Sequence, residues 1–153
     1  KEIPGSKDLN LIKFIDLYIY NVSKKRGQIL LKKSLDSFLK DCLIRSKKTA
    51  FSNLDRNDLE TSLIYFLKTN INSHREWSKA YRKFSNEFNE SDKTVSDEML
   101  SYNFITTIRQ LTITAFKGSE YIGENVLVYR PIPGEQEGCV DLEETTGGRA
   151  WSI

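Results

Sequence analysis

Among the 153 residues of this chain there is a single histidine, His74, and it stands where the spacing Ser73…Glu76 predicts the first turn of a helix. General-base chemistry would need a nucleophile arranged beside it, and no Ser, Cys or Asp in a recognisable nucleophile motif accompanies it, so it reads as an exposed first-turn residue. The two cysteines, Cys42 and Cys139, are far apart. Cys42 falls on a predicted apolar helix stripe and reads as a small core residue, while Cys139 sits between Gly138 and Val140 in a tail. A bridge between them would close a loop of about a hundred residues and be worth up to roughly 4 to 5 kcal/mol in the chain-entropy estimate, but spacing does not decide whether they pair. One histidine and two cysteines supply no cluster of three or four ligands, which excludes a zinc or iron site of the usual kind.

Three further features carry charge or backbone donors. From Lys24 to Lys48 nine basic residues face two acids, Asp36 and Asp41, a local excess of +7 that could attract nucleic acid or an anionic membrane. No aromatic or Gly-rich loop is interleaved as single-strand recognition would want, so the run reads as the wet face of a helix and no nucleic-acid partner is expected. The segment Gly147-Gly148-Arg149-Ala150-Trp151 is not a phosphate loop, because it follows no clear strand and precedes no helix whose dipole would reinforce its amides. Arg109 lies in an otherwise apolar helical stretch. Its guanidinium must either snorkel to solvent or clamp the carbonyls or carboxylates of the tail, since an unpaired buried charge is too costly to keep.

The elements that would position these groups are helical. The stretch from Ser96 to Lys117 is the predicted centre, with Leu100, Phe104, Ile108, Leu111 and Ala115 in one stripe and Ile105, Thr112 and Phe116 widening it. Its β-branched residues would suit two strands, but some twenty residues without Gly or Pro are too long for that. It should stop near Gly118, where a left-handed cap is easy. Ahead of it, after a Pro4-Gly5 turn, Asp8 could cap a helix carrying Leu11, Ile12, Ile15, Tyr18, Ile19 and Val22. A second helix from about Lys25 to Ile44 aligns Leu31, Leu35, Phe38 and Cys42, and Arg45 to Asn53 reads as a connection. A third opens on an Asp55…Asp58 capping pair and carries Leu59, Leu63, Phe66 and Leu67. A fourth opens at Ser73 and stacks Trp77, Tyr81, Phe84 and Phe88 on one face.

After Glu120 the pattern changes. Val126 to Tyr129 could be a short strand, but Pro131 and Pro133 forbid a central sheet position, and Gly134, Gly138, Gly147 and Gly148 point to an extended arm pinned by Trp151 and Ile153. The expectation is a single all-α domain over 1–153, about five helices around the central one, with 120–153 as an extended C-terminal arm. At 153 residues such a domain buries enough surface to stand without staples. A net charge of +2 is ordinary, and no apolar run reaches transmembrane length.

The run from Ile108 to Ile153, IRQLTITAFKGSEYIGENVLVYRPIPGEQEGCVDLEETTGGRAWSI, resembles the C-terminal part of the gluconate 2-dehydrogenase subunit 3 family, in the form seen in Bacteroidetes-type bacteria. The N-terminal run IPGSKDLNLIKFIDLYI, with Phe14, Ile15 and Asp16 after the Pro-Gly turn, is similar to the family's opening helix, while 24–93 matches mainly in helical pattern. The resemblance implies a non-catalytic small subunit of a sugar or gluconate dehydrogenase complex. There a large flavoprotein carries FAD, a cytochrome or other carrier takes the electrons onward, and the small subunit, itself without a cofactor, assists folding or export of the large one. It also implies a periplasmic or cell-envelope location reached through an N-terminal signal absent from this sequence, with any membrane association through that signal or through partners. Contact with the large subunit would then fall to Arg109, Pro133, Gly134, Cys139, Gly147, Gly148, Arg149 and Trp151. The alternative from the residues alone is a stand-alone small-molecule-binding or enzymatic domain with a pocket between helices.

Overall fold

The computed structural model describes residues 3–88, 95–127 and 141–149, with the side chain of Leu142 excepted. Among them are seven α-helices and no strand: α1 (Leu11–Asn21), α2 (Lys25–Ser46), α3 (Arg56–Lys68), α4 (Ile71–Glu87), α5 (Asp97–Lys117), α6 (Glu120–Asn125) and α7 (Leu142–Thr146), with a single 3-10 turn at Phe51–Asn53. The all-α class expected from the periodicity is what the chain adopts. Its contacts divide into two units, Val22–Arg109 and the combination of Lys1–Asn21 with Gln110–Ile153.

In the unit formed by Val22–Arg109 the core is Phe38 and Cys42 of α2, Phe66 of α3 and Ile105 of α5, with Leu54, Trp77, Tyr102 and Phe104 packed against it. Aromatic contacts tie the helices: Phe38 stacks on Phe104 at 5.5 Å, Phe66 meets Trp77 edge-on at 5.7 Å, and Trp77 meets Tyr102 at 5.3 Å. The α2 face that is buried is Leu30, Ser34, Ser37, Phe38 and Cys42, not the expected line through Leu31 and Leu35, of which Leu35 is exposed. Small serines let α2 approach α3, whose own fully buried polar residue is Ser62. Ser37 also donates to Asp97 Oδ1 at 2.6 Å, which fixes the start of α5. The basic residues of α2 take part in packing as well: Arg26 donates to the carbonyls of Ser85 and Asn86 and lies over Phe88, and Arg45 lies 3.4 Å from the centre of the Tyr65 ring while paired with Asp41.

The helix starts follow capping chemistry. Asp55 and Asp58 form a reciprocal capping box at α3, as the sequence predicts. For α4 the cap is Asn70, whose side chain accepts from the Ser73 amide, so the helix begins two residues before the expected Ser73 start. Asn ranks with Ser at this position, and Ile71, the first residue of the helix, is exposed. Asp8 does not cap α1: it accepts from the Gly5 amide and closes a turn that runs through Asn10 at φ 50° before Leu11. The connection after α2 is shorter than expected, since α2 continues to Ser46 and ends on Lys47 in the left-handed conformation.

In the other unit α5 ends at Lys117, with the Gly118 amide donating to Thr114 O at 2.9 Å. The expected reason for glycine there does not hold, because Gly118 is not left-handed. A Cβ at that position would lie 3.2 Å from Thr114 O, so close approach is what favours glycine. Helix then resumes where an extended arm was expected. Ser119 precedes α6, Glu120 sits in its first turn where the helix dipole favours an acid, and Ile122 and Gly123 are buried. Val126 and Leu127 continue as turn and bend, and the expected short strand and its prolines fall largely within 128–140, outside the described residues. α7 ends on Gly147 and Gly148 at φ 62° and 74°, so the glycine pair of the arm is a helix terminator.

Candidate functional site

Two features in separate units could meet other molecules. The first is a pair of adjoining clefts on α4 that share Ser78, Arg82 and Tyr102. One, of about 310 Å³, is walled by Trp77, Tyr81 and Ser85 of α4 and by Asn103 and Thr106 of α5. The other, of about 380 Å³, is walled by Ile71, His74, Arg75 and Lys79. The four-residue rhythm of α4 puts Arg75, Lys79 and Arg82 along one edge, all exposed, while Trp77, Tyr81 and Phe84 turn inward.

The floor of these clefts is held rigidly. His74 stacks on Tyr102 with ring centres 4.7 Å apart, and its Nε2 lies 2.7 Å from Phe66 O. Tyr81 is half-buried, and burial raises its phenol above the ordinary value of 10.0, against a smaller opposing effect of its hydrogen bond with Asn103. Thr106 returns its hydroxyl to the carbonyls of Tyr102 and Asn103 at 3.0 Å each. His74 is therefore no free first-turn residue: its ring is clamped between a carbonyl and an aromatic face.

The second feature is α1. Leu11 is buried and Ile15 and Ile19 are half-buried, but Ile12 and Val22 of the expected core stripe are 77% and 59% exposed. Phe14 and Leu17 are exposed too, and Phe14 pairs with Tyr18 at 6.3 Å. The helix is apolar round most of its circumference, with Lys13 and Asp16 its only charges, so it carries more apolar surface than the described residues cover.

Of the residues expected to touch a partner, Arg109 lies in the unit Val22–Arg109 and Gly147, Gly148 and Arg149 in the other. Arg109 is exposed on α5, as a snorkelling side chain would be. Arg149 is exposed and its Nε donates to Thr146 O at 3.3 Å, and Gly147 and Gly148 end α7. Pro133, Gly134, Cys139 and Trp151 lie outside the described residues. Cys42 is a free thiol with no exposed surface. Burial raises its pKa above 9.0, with the Ser62 hydroxyl opposing, so the thiol stays protonated and unreactive at neutral pH. Among the described residues no group of three or more His, Cys, Asp or Glu could hold a metal ion, and no helix is long and apolar enough to cross a membrane.

Sequence reasoning missed the clefts, because they need Tyr102 and Asn103 of α5 set against α4. The inward aromatic stripe on α4 was the one available signal. It also took the apolar residues of α1 as core.

No curated protein and no solved structure matches the chain. The family model of gluconate 2-dehydrogenase subunit 3 matches residues 1–134, and the chain belongs to that family, one of subunits of dehydrogenase complexes.

Proposed function

We propose that this member of the gluconate 2-dehydrogenase subunit 3 family is the non-catalytic small subunit that binds the large FAD-dependent subunit of a sugar or gluconate dehydrogenase and assists its folding or export. The observation that carries the reading is the set of exposed apolar side chains on α1, Ile12, Phe14 and Leu17. A chain whose family is defined by membership of a complex has a protein partner to cover them, and apolar side chains of this size are what an interface core uses. FAD and the redox chemistry belong to the large subunit, with a cytochrome as a further partner. The periplasm or cell envelope is the location that fits such a complex. Arg109 and the tail through Trp151 add a second set of contacts.

The test is co-expression with the cognate large subunit in the native host, followed by affinity capture of this chain and flavin absorbance of what is captured. Phe14→Glu and Ile12→Lys should each lose the flavoprotein from the captured material while circular dichroism stays helical. Trp151→Ala should weaken capture, an interface hot spot of this kind being worth about 2 kcal/mol or more. Undiminished capture by both α1 variants would end the role given to that helix. Bound flavin with sugar oxidation by the isolated chain would end the non-catalytic reading itself.

A further inference from the structure

We propose that the paired clefts on α4 form a binding site for a small organic anion, a carboxylate carried on a flat or apolar ring. Three cations, Arg75, Lys79 and Arg82, line them, and no acidic side chain does. Some basic residues of this unit have acidic partners, Arg45 with Asp41, Lys48 with Asp55 and Asp58, and Arg56 with Glu60. Among the described residues the three cleft cations enter no such pair. Three such cations around one concavity, with no carboxylate in its lining, make a local positive potential that an anion would neutralise.

The rest of the lining sets the body of the ligand. Trp77, Tyr81 and Tyr102 supply aromatic surface and Ile71 an aliphatic rim, and each cleft is large enough for a small molecule, at the low end of the usual range. The rings are pre-positioned, since Tyr102 is held by His74 on one side and by Trp77 on another. A guanidinium such as that of Arg82, shared by both clefts, matches a carboxylate in a planar, two-point fashion that a point-charge ammonium does not. Asn103 and Ser78 offer neutral polar groups beside it. The proposal does not rest on α1 or on the flavoprotein partner, and the isolated chain suffices to test it.

The full-length chain, ¹⁵N-labelled, is titrated with benzoate and separately with its neutral counterpart benzamide and with inorganic phosphate. The readout is the indole N–H of Trp77, separated from that of Trp151 by a Trp151→Phe variant. Benzoate should shift the Trp77 signal saturably and bind about tenfold or more tighter than benzamide, the size of one charge-assisted contact. Arg82→Gln should weaken benzoate by about tenfold and leave benzamide unchanged, its amide spectrum otherwise matching the parent. Arg82→Lys should recover only part of the loss. No saturable benzoate shift, equal affinity for benzamide, or an Arg82→Gln variant that binds as the parent does would each overturn the proposal. Phosphate binding as tightly as benzoate would overturn the ring-bearing carboxylate as its ligand.

Discussion

The imidazole of His74 lies almost parallel to the ring of Tyr102, 21° between planes, while its Nε2 faces the carbonyl of Phe66 at 2.7 Å. A carbonyl only accepts, so Nε2 must carry the proton. Phe66 belongs to the last turn of α3, where carbonyls lack helical partners, and His74 supplies the donor that the helix end needs. Because His74 is the only histidine, its ring nitrogens give an uncrowded ¹⁵N spectrum. That spectrum should show Nε2 as the protonated nitrogen of the neutral ring. Replacement by Ala should cost about 1–3 kcal/mol in urea unfolding, the range for leaving a buried acceptor unpaired. An Nδ1–H tautomer would contradict the assignment.

Phe66 has no exposed surface and touches Tyr65 and Trp77 edge-on, at 5.1 and 5.7 Å. It is also a member of the core with Phe38, Cys42 and Ile105. Phe66→Ala removes a ring from the place where α2, α3 and α5 converge, and should destabilise the fold by about 3–5 kcal/mol. Denaturant unfolding measures this directly. A loss below about 1 kcal/mol would mean that the neighbours collapse into the space and that this core is looser than its geometry says.

How far the sequence foretold these relationships depended on how local they are. The Asp55…Asp58 box was legible because its two halves are three residues apart and act on each other's amides. The start of α4 was read late because Ser73 and Asn70 both carry cap chemistry, and only the backbone decides which one stands outside the helix. The buried faces of α2 and α3 were misread for another reason. Ser34, Ser37 and Ser62 count as polar in any periodicity, although their small size is what lets two helices meet. The exposure of apolar side chains on α1 was illegible on the same ground, since an apolar residue waiting for a partner has the same signature as one in a core.

Those buried serines carry a prediction of their own. Among the described residues Ser34 Oγ has no hydrogen-bond partner, and the Ser62 hydroxyl has none but the Cys42 thiol, whose upward pKa shift it opposes. A buried hydroxyl left unpaired is a cost that alanine does not bear, and alanine is also the better helix former. Ser34→Ala should therefore stabilise the protein by about 1 kcal/mol, read as a higher urea midpoint with an unchanged slope. Ser62→Ala should gain less, because it gives up its contact with Cys42. A lower midpoint for Ser34→Ala would show that the hydroxyl is satisfied after all.

The ammonium of Lys48 reaches across the connection after α2 to Asp55 Oδ2 at 3.2 Å and to Asp58, so one cation closes over both halves of the α3 capping box. The Asp55 carboxyl is held below its ordinary 3.8, first by the Asp58 amide that it caps and then by Lys48. Lys48 in turn is held above its ordinary 10.5, first by Asp58. A carboxylate with a depressed folded pKa contributes stability that is fully present above its unfolded value and is lost as pH falls through the folded one. An ammonium with a raised folded pKa contributes stability that is present below its unfolded value and is lost as pH rises through the folded one. The staple is therefore complete between those two limits and weakens on either side. Asp55→Asn keeps a good capping side chain but removes the charge, so it should leave α3 helical, lower stability at neutral pH, and flatten the fall in urea midpoint between about pH 5 and pH 3. Lys48→Met should remove the alkaline limb and leave the acid limb partly in place, since the Asp58 amide still holds Asp55. If the parent and Asp55→Asn lost stability in parallel on acidification, the carboxylate would be doing no more than a neutral cap, and the pairing across the connection would count for nothing.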